Sequence, residues 1–369
     1  MPEDELTALL TLNRIEGLGC IGAKLLYERF GSAQEIFRSR DHLKELIPGV
    51  SRKLIEALED FGYSSSVREE LDFIEKHGIR CITPSDSDYP VRLRDCHDAP
   101  LLLFMLGNAN LNAAKIVSIV GTRKATDYGR RMCSTFVEEL YRICPDVVVV
   151  SGLALGIDIE AHKASLSAGC CTWAVLAHGL DQIYPPSHRN IAKSILDRGA
   201  LITEFTGQTQ PFKANFVKRN RIIAGLADAV VVVESRAKGG SLITAEIAES
   251  YNRDCFAFPG SVGDPCSVGC NELIRENRAA LITSATDFVN AMGWSCDSDN
   301  TPLQKTLPFA LTDDEQRVFE RIGLKAHGVH INTIIVDCNI PYTKLMTVLF
   351  SLEMKGLIKT SPGALYKLS

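Results

Sequence analysis

Three short turns and one cationic segment carry the residue types that could do chemistry. Gly121-Thr122-Arg123, with Tyr128 and Gly129 just beyond, interrupts the apolar run IVSIV. Ser151-Gly152, with Gly156 behind it, ends the run VVVV. Gly239-Gly240-Ser241 and Thr244 follow the run VVVVE. Between the last two turns, Lys213, Lys218, Arg219 and Arg221 fall within nine residues with no acid among them, around Phe216 and Asn220. Glycine lets a backbone approach a phosphate closely, and amides at a following helix N-terminus point at the anion. Hydroxyls add neutral donors, and the planar guanidinium of Arg123 matches phosphate oxygens. One such turn is only a tight connection. Three on one edge, with a cation cluster, describe a phosphate-holding surface. None is GxGxxG with an acid about 20 residues on, or GxxxxGK[ST], so neither a dinucleotide site nor a Walker-type ATPase is expected.

The elements that must position these residues follow from the pattern. An apolar strand, a small-residue turn and an amphipathic helix recur between Ile116 and Gly260. That is the signature of an α/β fold, an extended Rossmann-like domain with a mainly parallel sheet and its ligand site at the carboxyl ends of the strands. We assign it to residues 79–294. Residues 1–78 have helical periodicity in ELTALLTLNRI, AKLLYERF and SRKLIEALEDF. Two turns there, Ile15 to Gly19 and Ile47-Pro48-Gly49-Val50, fit either a SAM- or helix-hairpin-helix-like module touching DNA phosphates or a plain helical bundle. Residues 295–309 are polar and contain proline, a linker composition. A capping box, Thr312 to Glu315, opens residues 310–369. Three helices and a hairpin around Pro362-Gly363 suggest a winged-helix-like domain. Its third helical segment offers only Lys344 and Lys355 as cations, so a protein-contact or regulatory role is expected rather than strong DNA binding.

Composition narrows the class. A chain of 369 residues exceeds one ordinary core. The formal net charge of −5 means that any nucleic-acid site must rest on local clustering. The acidic N-terminus MPEDELTALL is not a signal peptide, and no run reaches a membrane span of about 20 apolar residues. Twelve cysteines without such a signal fit free thiols in the cytoplasm. Cys170-Cys171 read as packing residues. Cys266 and Cys270 lack a second Cys/His pair at zinc spacing, so no metal is expected.

The segments IVGTRKATDYGRR, VVSGLALGIDIEAHKASL, HGLDQIYPPSHRN, RNRIIAGLADAVVVVES and GGSLITAEIA resemble those of the DNA-processing protein A (DprA/Smf) family, in the family's order. The resemblance covers about Asp86 to Val289 and implies a binder of single-stranded DNA. It implies a homodimer that delivers the strand to the RecA recombinase during natural transformation, without a cofactor. It carries the family's phosphate-binding turn onto Gly121-Thr122-Arg123, its Ser-Gly turn onto Ser151-Gly152, and its cationic segment onto Lys213 and Arg219-Asn220-Arg221. Its last turn falls on Gly240-Ser241 and Thr244. The chain departs from many relatives at Phe216-Val217-Lys218, where they carry proline, and at Glu276 to Ala280, where they carry a Gly-Ala pair. Phe212, Phe216 and Tyr128 are the candidates for stacking on bases. The dimer contact is expected on Leu281 to Met292, through Leu281, Ile282, Phe288, Val289 and Met292.

An enzyme is the competing class. GGSLITAE loosely resembles the Gly-Gly…Glu turn of phosphoribohydrolases that cleave nucleotides, with Glu246 at the catalytic position but Leu242-Ile243 replacing a Gly-Thr pair. Asp158 and His162, four apart on one helix face, could be cast as an acid/base pair or could simply pack that helix. Catalytic residues are expected to be absent.

Overall fold

Three helices open the chain: α1 (Glu3–Asn13), α2 (Gly19–Phe30) and α3 (Ala33–Arg38). In this computed structural model residues 3–15, 17–39, 56, 58, 65–294, 311–323, 329–361 and 365–368 are described. The turn Ile47 to Val50, the linker 295–309 and the hairpin tip Pro362-Gly363 lie outside the described residues, as does most of SRKLIEALEDF. Glu5 caps α3 from a distance, its carboxylate accepting from Ala33 N at 2.7 Å and Gln34 N at 3.0 Å. The turn from Ile15 to Gly19 buries Ile15 and Leu18 in the local core. A further helix of the region read as helical, outside the three quoted segments, α4 (Ser65–His77), precedes β1 (Arg80–Ile82), the short α5 (Val91–Arg94) and β2 (Leu103–Gly107). Leu9, Leu10, Leu26 and Ile36 share one core with Val67 and Ile74 of α4 and with Leu101, Leu102 and Phe104. The N-terminal helices are therefore joined to the edge of the sheet by apolar packing.

The main sheet continues through β3 (Lys115–Val120), α6 (Asp127–Ile143), β4 (Val147–Ser151), α7 (Ile157–Ala168) and β5 (Cys171–Val175). Then come α8 (Arg189–Ile195), β6 (Ala200–Thr203), α9 (Lys213–Leu226), β7 (Ala229–Val232) and α10 (Gly240–Ser250). It closes with β8 (Asp254–Ala257), α11 (Val268–Arg275), β9 (Ala280–Leu281) and α12 (Ala285–Met292). The nine strands run in the order β1-β2-β6-β5-β4-β3-β7-β8-β9. From β6 to β9 all pairs are parallel, and β1 and β2 add an antiparallel edge. The Val-rich strands β3, β4 and β7 are buried because helices cover both faces. One face packs on α9, α10 and α11, the other on α6, α7 and α12. Successive strands after β3 go one way along the sheet, and from β7 they go the other. The reversal opens a crevice at the carboxyl ends of β3 and β7.

The placement of Leu281 to Met292 corrects the expected dimer contact. Ile282, Phe288 and Val289 are buried in the core. The Phe288 ring meets Phe136, Phe256 and Trp294 edge to face. A strand followed by an amphipathic helix covers its own sheet here, and of the five side chains expected at the contact only Leu281 and part of Met292 reach solvent.

The chain divides into two compact units, Met1–Cys296 and Asp297–Ser369. The second holds α13 (Asp313–Gly323), β10 (Val329–His330), α14 (Ile331–Cys338), α15 (Tyr342–Met354), β11 (Ile358–Ser361) and β12 (Leu365–Leu368). Its sheet order is β10-β12-β11, and Val318, Ile334, Leu345, Leu349 and Leu352 lie in its core. Three helices with a hairpin wing make this a winged helix. The expected capping box opens α13: Thr312 N donates to Glu315 Oε2 at 2.8 Å and Glu315 N to Thr312 Oγ1 at 3.4 Å. Among the described residues no helix is long and apolar enough to cross a membrane.

Candidate functional site

The crevice at the reversal is a cavity of about 490 Å³. Gly121, Thr122 and Arg123 leave β3 on one side; Lys213, Phe216, Arg219 and Asn220 of α9 form another wall; Gly239, Gly240, Ser241 and Thr244 close it at the start of α10. Close backbone approach is what the glycines provide. Gly156 has φ +82°, and a Cβ there would stand 2.1 Å from Thr122 O. Its absence lets the start of α7 slide under the first turn, where Ile157 N donates to Thr122 O at 3.2 Å. Gly152 plays a different part. A Cβ there would lie 1.7 Å from Nη1 of Arg219, so this glycine leaves the channel through which the guanidinium passes.

Arg219 forms the floor of the site. It is 3% exposed, and its Nη1 donates to Val175 O at 2.8 Å, while Nε has no protein partner. Burial lowers its pKa to about 10, with Asp158 opposing the shift, so it stays charged at neutral pH. Asp158, on the first turn of α7, is buried beside it. Burial raises the Asp158 pKa; Arg219, the amides of Ala154 and Gly152, and Arg123 pull it back. Arg123 is exposed and lies over the Phe216 ring at 4.6 Å, and the Arg219 guanidinium is 5.9 Å from the same ring. The aromatic ring thus lies within reach of two cations, each attracted to its π electrons.

The structure gathers most of the anticipated residues and diverts others. Arg221 does not line the cavity. It is buried, bonded to Asp98 O at 2.5 Å and ion-paired with Glu204. The Ser151 hydroxyl is buried and donates to Ile119 O at 2.7 Å, tying β4 to β3. Tyr128 spends its hydroxyl on Pro259 O at 2.6 Å. Gly129 packs against Glu234, which accepts from the Thr126 amide at 2.9 Å and its hydroxyl at 2.6 Å. Lys218 is exposed on α9 outside the cavity lining, and Phe212 is exposed at the helix start. Of Asp158 and His162, only Asp158 faces the cavity. His162 is fully buried, its Nδ1 2.7 Å from Thr172 Oγ1, and burial with Arg219 and His188 nearby drops its pKa to about 3. It is neutral and walled off, so the two do not form an acid/base pair. Glu246 also lies outside the cavity lining, exposed and paired with Arg278 at 3.7 Å.

Three contributors were not singled out from the sequence. Arg236 and Lys238, just ahead of the Gly239-Gly240 turn, are exposed on the cavity wall. The signal was legible as Arg-Ala-Lys-Gly-Gly, two cations directly before a helix-opening turn. Tyr184 meets the Phe216 ring at 6.0 Å, edge to face. It comes from the loop after β5, and only the fold brings it near. Among the described residues Arg123, Lys213, Arg236 and Lys238 make no ion pair.

The family described as DNA recombination-mediator protein A matches residues 80–293, and the DprA winged helix domain matches 302–364. The chain is 34% identical over 315 residues to Protein Smf of Synechocystis sp., covering 84% of this chain and 78% of that one. The solved structure of DNA processing protein A from Streptococcus pneumoniae aligns with a TM-score of 0.67 at 32% identity, covering 77% of this chain and 97% of that chain. The Helicobacter pylori protein, whose structure concerns a single-stranded DNA binding mode, aligns with a TM-score of 0.53 at 28% identity, covering 58% and 96%. Both matched domains, the identity to the Synechocystis protein and the likeness to the Streptococcus pneumoniae structure agree: the chain belongs to the DNA processing protein A (DprA/Smf) family.

Proposed function

We propose that this protein binds single-stranded DNA without reading its sequence, in the cavity at the carboxyl edge of β3 and β7. One observation carries the reading. In a chain of net charge −5, Arg123, Lys213, Arg236 and Lys238, unpaired among the described residues, converge on one crevice around an aromatic ring. Phosphates take up the cations and the amides of Gly240 and Ser241 at the start of α10, and a base stacks against Phe216 or the outer face of the Arg123 guanidinium. The Helicobacter pylori relative supports this assignment. Family membership further supports a homodimer that hands the strand to RecA in natural transformation, with no covalent step. One cavity holds only a short stretch of strand, and two linked cavities raise the effective concentration of the second. Within this scheme residues 1–78 and 310–369, the latter joined through 295–309, tune the central domain.

The test is a salt titration of binding to a single-stranded oligonucleotide, followed by RecA loading. Arg123→Ala should weaken binding about tenfold and reduce the slope of log K against log salt by about 0.7, one phosphate contact's worth. RecA filaments on strands coated with single-strand binding protein should form faster when the parent is added than with the variant. Parent-like binding by Arg123→Ala across the titration would displace the site; no effect of the parent on RecA would remove the loading step.

A further inference from the structure

The loop from β5 into α8 carries a second group of side chains suited to nucleic acid, next to the cavity but outside its lining. Between Asp181 and Asp197 the chain has no acid, and Tyr184, Ser187, Arg189, Asn190, Lys193 and Ser194 are exposed there. Asp181 itself lines a separate cavity with Glu70 and Arg14. Arg189 and Lys193 make no ion pair among the described residues. They stand four apart on α8, so they share one face, about 6 Å apart along the axis. Packing falls instead to Ala192 and Ile195, which join Leu153 and Leu176 in a core. The loop ahead of the helix is fixed. Tyr184 N donates to His178 Nε2 at 3.2 Å, His188 Nδ1 to Leu153 O at 2.8 Å, and Gln182 Nε2 to Thr209 O at 3.0 Å. Leu153 directly precedes Ala154 of the cavity lining, so the second bond ties the loop to the cavity. The Tyr184 ring, 45% exposed, is held 6.0 Å from Phe216, which itself lies under Arg123.

We propose that a bound single strand continues out of the cavity past Tyr184 and along α8, with a base stacked on the Tyr184 ring and phosphates on Arg189 and Lys193. This rests on the strand-binding reading of the cavity and gives that site a second segment. Three observations favour a single strand as the occupant. First, the chemistry is continuous. Tyr184 adjoins Phe216, so a base on one ring can be followed by a base on the other, and stacking of this kind tolerates any base. Second, the cations form one row beside one ring. That fits a single backbone with its bases turned to one side, whereas a duplex presents two backbones and no open base face. Third, Asn190 and Ser194 repeat the same four-residue step one position on, and they offer neutral donors to sugar and phosphate oxygens along the row. The side chains, not the terminal amides of this two-turn helix, supply the contacts. The cavity alone takes about four nucleotides, and the row on α8 lengthens the footprint to about seven.

Binding of oligothymidylates of two lengths to the full-length chain tests this. The double variant Arg189→Ala, Lys193→Ala should bind a strand of about four nucleotides within twofold of the parent, and one of about twelve at least tenfold more weakly. For the longer strand the slope of log K against log salt should fall by about 1.4, two phosphate contacts' worth. The charge-preserving pair Arg189→Lys, Lys193→Arg should keep the parent's dependence on length. Both positions are solvent-facing, and unchanged circular dichroism will confirm folding. Irradiation of the longer strand, carrying 5-iododeoxyuridine at single positions, should link Tyr184 from a position adjacent to the one that links Phe216. Equal losses on both lengths, or no loss on either, overturn the proposal. So does a loss confined to duplex DNA, since α8 would then be a duplex contact. Arg123→Ala separates this segment from the cavity, because it should weaken both lengths. If it weakens neither, the cavity reading falls and the extension with it; if it weakens both while the α8 variant weakens neither, only the extension falls.

Discussion

The carboxyl edge of the large sheet, where open α/β sheets hold ligands, and the third helix of the winged-helix unit, which modules of this kind that bind duplex DNA place in its groove, are built in opposite ways. At the sheet edge, Arg123, Lys213, Arg236 and Lys238 face one cavity unpaired among the described residues, and the acid lining it, Asp158, is buried beneath them beside Arg219. In the winged-helix unit, Lys344 is paired with Asp314 and Lys355 with Glu315 at 2.6 Å, both acids at the start of α13. What α15 leaves exposed includes the apolar side chains Tyr342, Met346, Phe350 and Met354. A surface is thus made cationic by the acids that the fold keeps away from it, more than by how many cations the sequence places there.

The largest expected effect comes from Gly152→Ala, which asks whether the sheet edge depends on the position of Arg219. The new Cβ would fall 1.7 Å from Nη1, and the guanidinium must leave its channel. That breaks the bond to Val175 O and removes the cation that most lowers the Asp158 pKa. Losing a hydrogen bond made by a buried charged group costs about 1.5–3 kcal/mol. The variant should unfold at clearly lower denaturant and bind single strands at least as weakly as Arg219→Ala. Parent-like stability and affinity would show that Arg219 is not fixed by this channel, and the contrast between the two regions would lose its floor.

Much of this was legible in the sequence because it is local. Strand runs, small-residue turns and the capping box at Thr312 each depend on neighbours in the chain, and they mark the parallel sheet, its carboxyl edge and the start of α13. What escaped is non-local. Arg221 looks the same as Arg219 from the sequence, two positions away in one cationic segment. On α9 that offset turns it toward Glu204 and Asp98, which arrive from other parts of the chain. Tyr184 reaches Phe216 only through the order of strands. Phe288 looked like exposed apolar surface beside a polar linker, but the sheet face it covers includes Phe136 of α6, about 150 residues earlier. The pairing of Lys344 depends on an acid 30 residues upstream.

Acid titration sharpens the same contrast with a smaller effect. In the winged-helix unit the Lys355 ammonium, the Ser351 hydroxyl and the Thr312 amide hold the Glu315 carboxyl down to about 2. A depressed acid contributes stability that is complete above its unfolded value, about 4.3, and is lost as pH falls through about 2. Asp158 has the opposite sign. Its pKa is raised, so its contribution declines as pH rises above the ordinary aspartate range. Amide-exchange protection of peptides from 311–368, corrected for the intrinsic pH dependence of exchange, should fall between about pH 4.5 and 2. Glu315→Gln should flatten that fall. A variant that loses protection in step with the parent would mean that another group drives it.

The smallest effect is expected from Lys344→Ala, and its smallness is the point. Lys344 is the cation of α15, and in a winged helix that reads duplex DNA the third helix would use such a residue on a phosphate. Here its ammonium is ion-paired with Asp314, with the lysine side chain 61% exposed. An exposed pair contributes about 0–1 kcal/mol, so stability should barely move. Removing one phosphate contact from a working interface would cost about tenfold, as expected for Arg123. Removing a cation already matched by an acid should change single- or double-stranded affinity by less than about twofold and leave the salt slope unaltered. Asp314→Asn supplies the converse, because it frees Lys344 and should raise weak, salt-sensitive binding of duplex DNA. If Lys344→Ala instead flattens the salt slope as Arg123→Ala does, the ion pair opens on binding, and α15 is a second nucleic-acid surface after all.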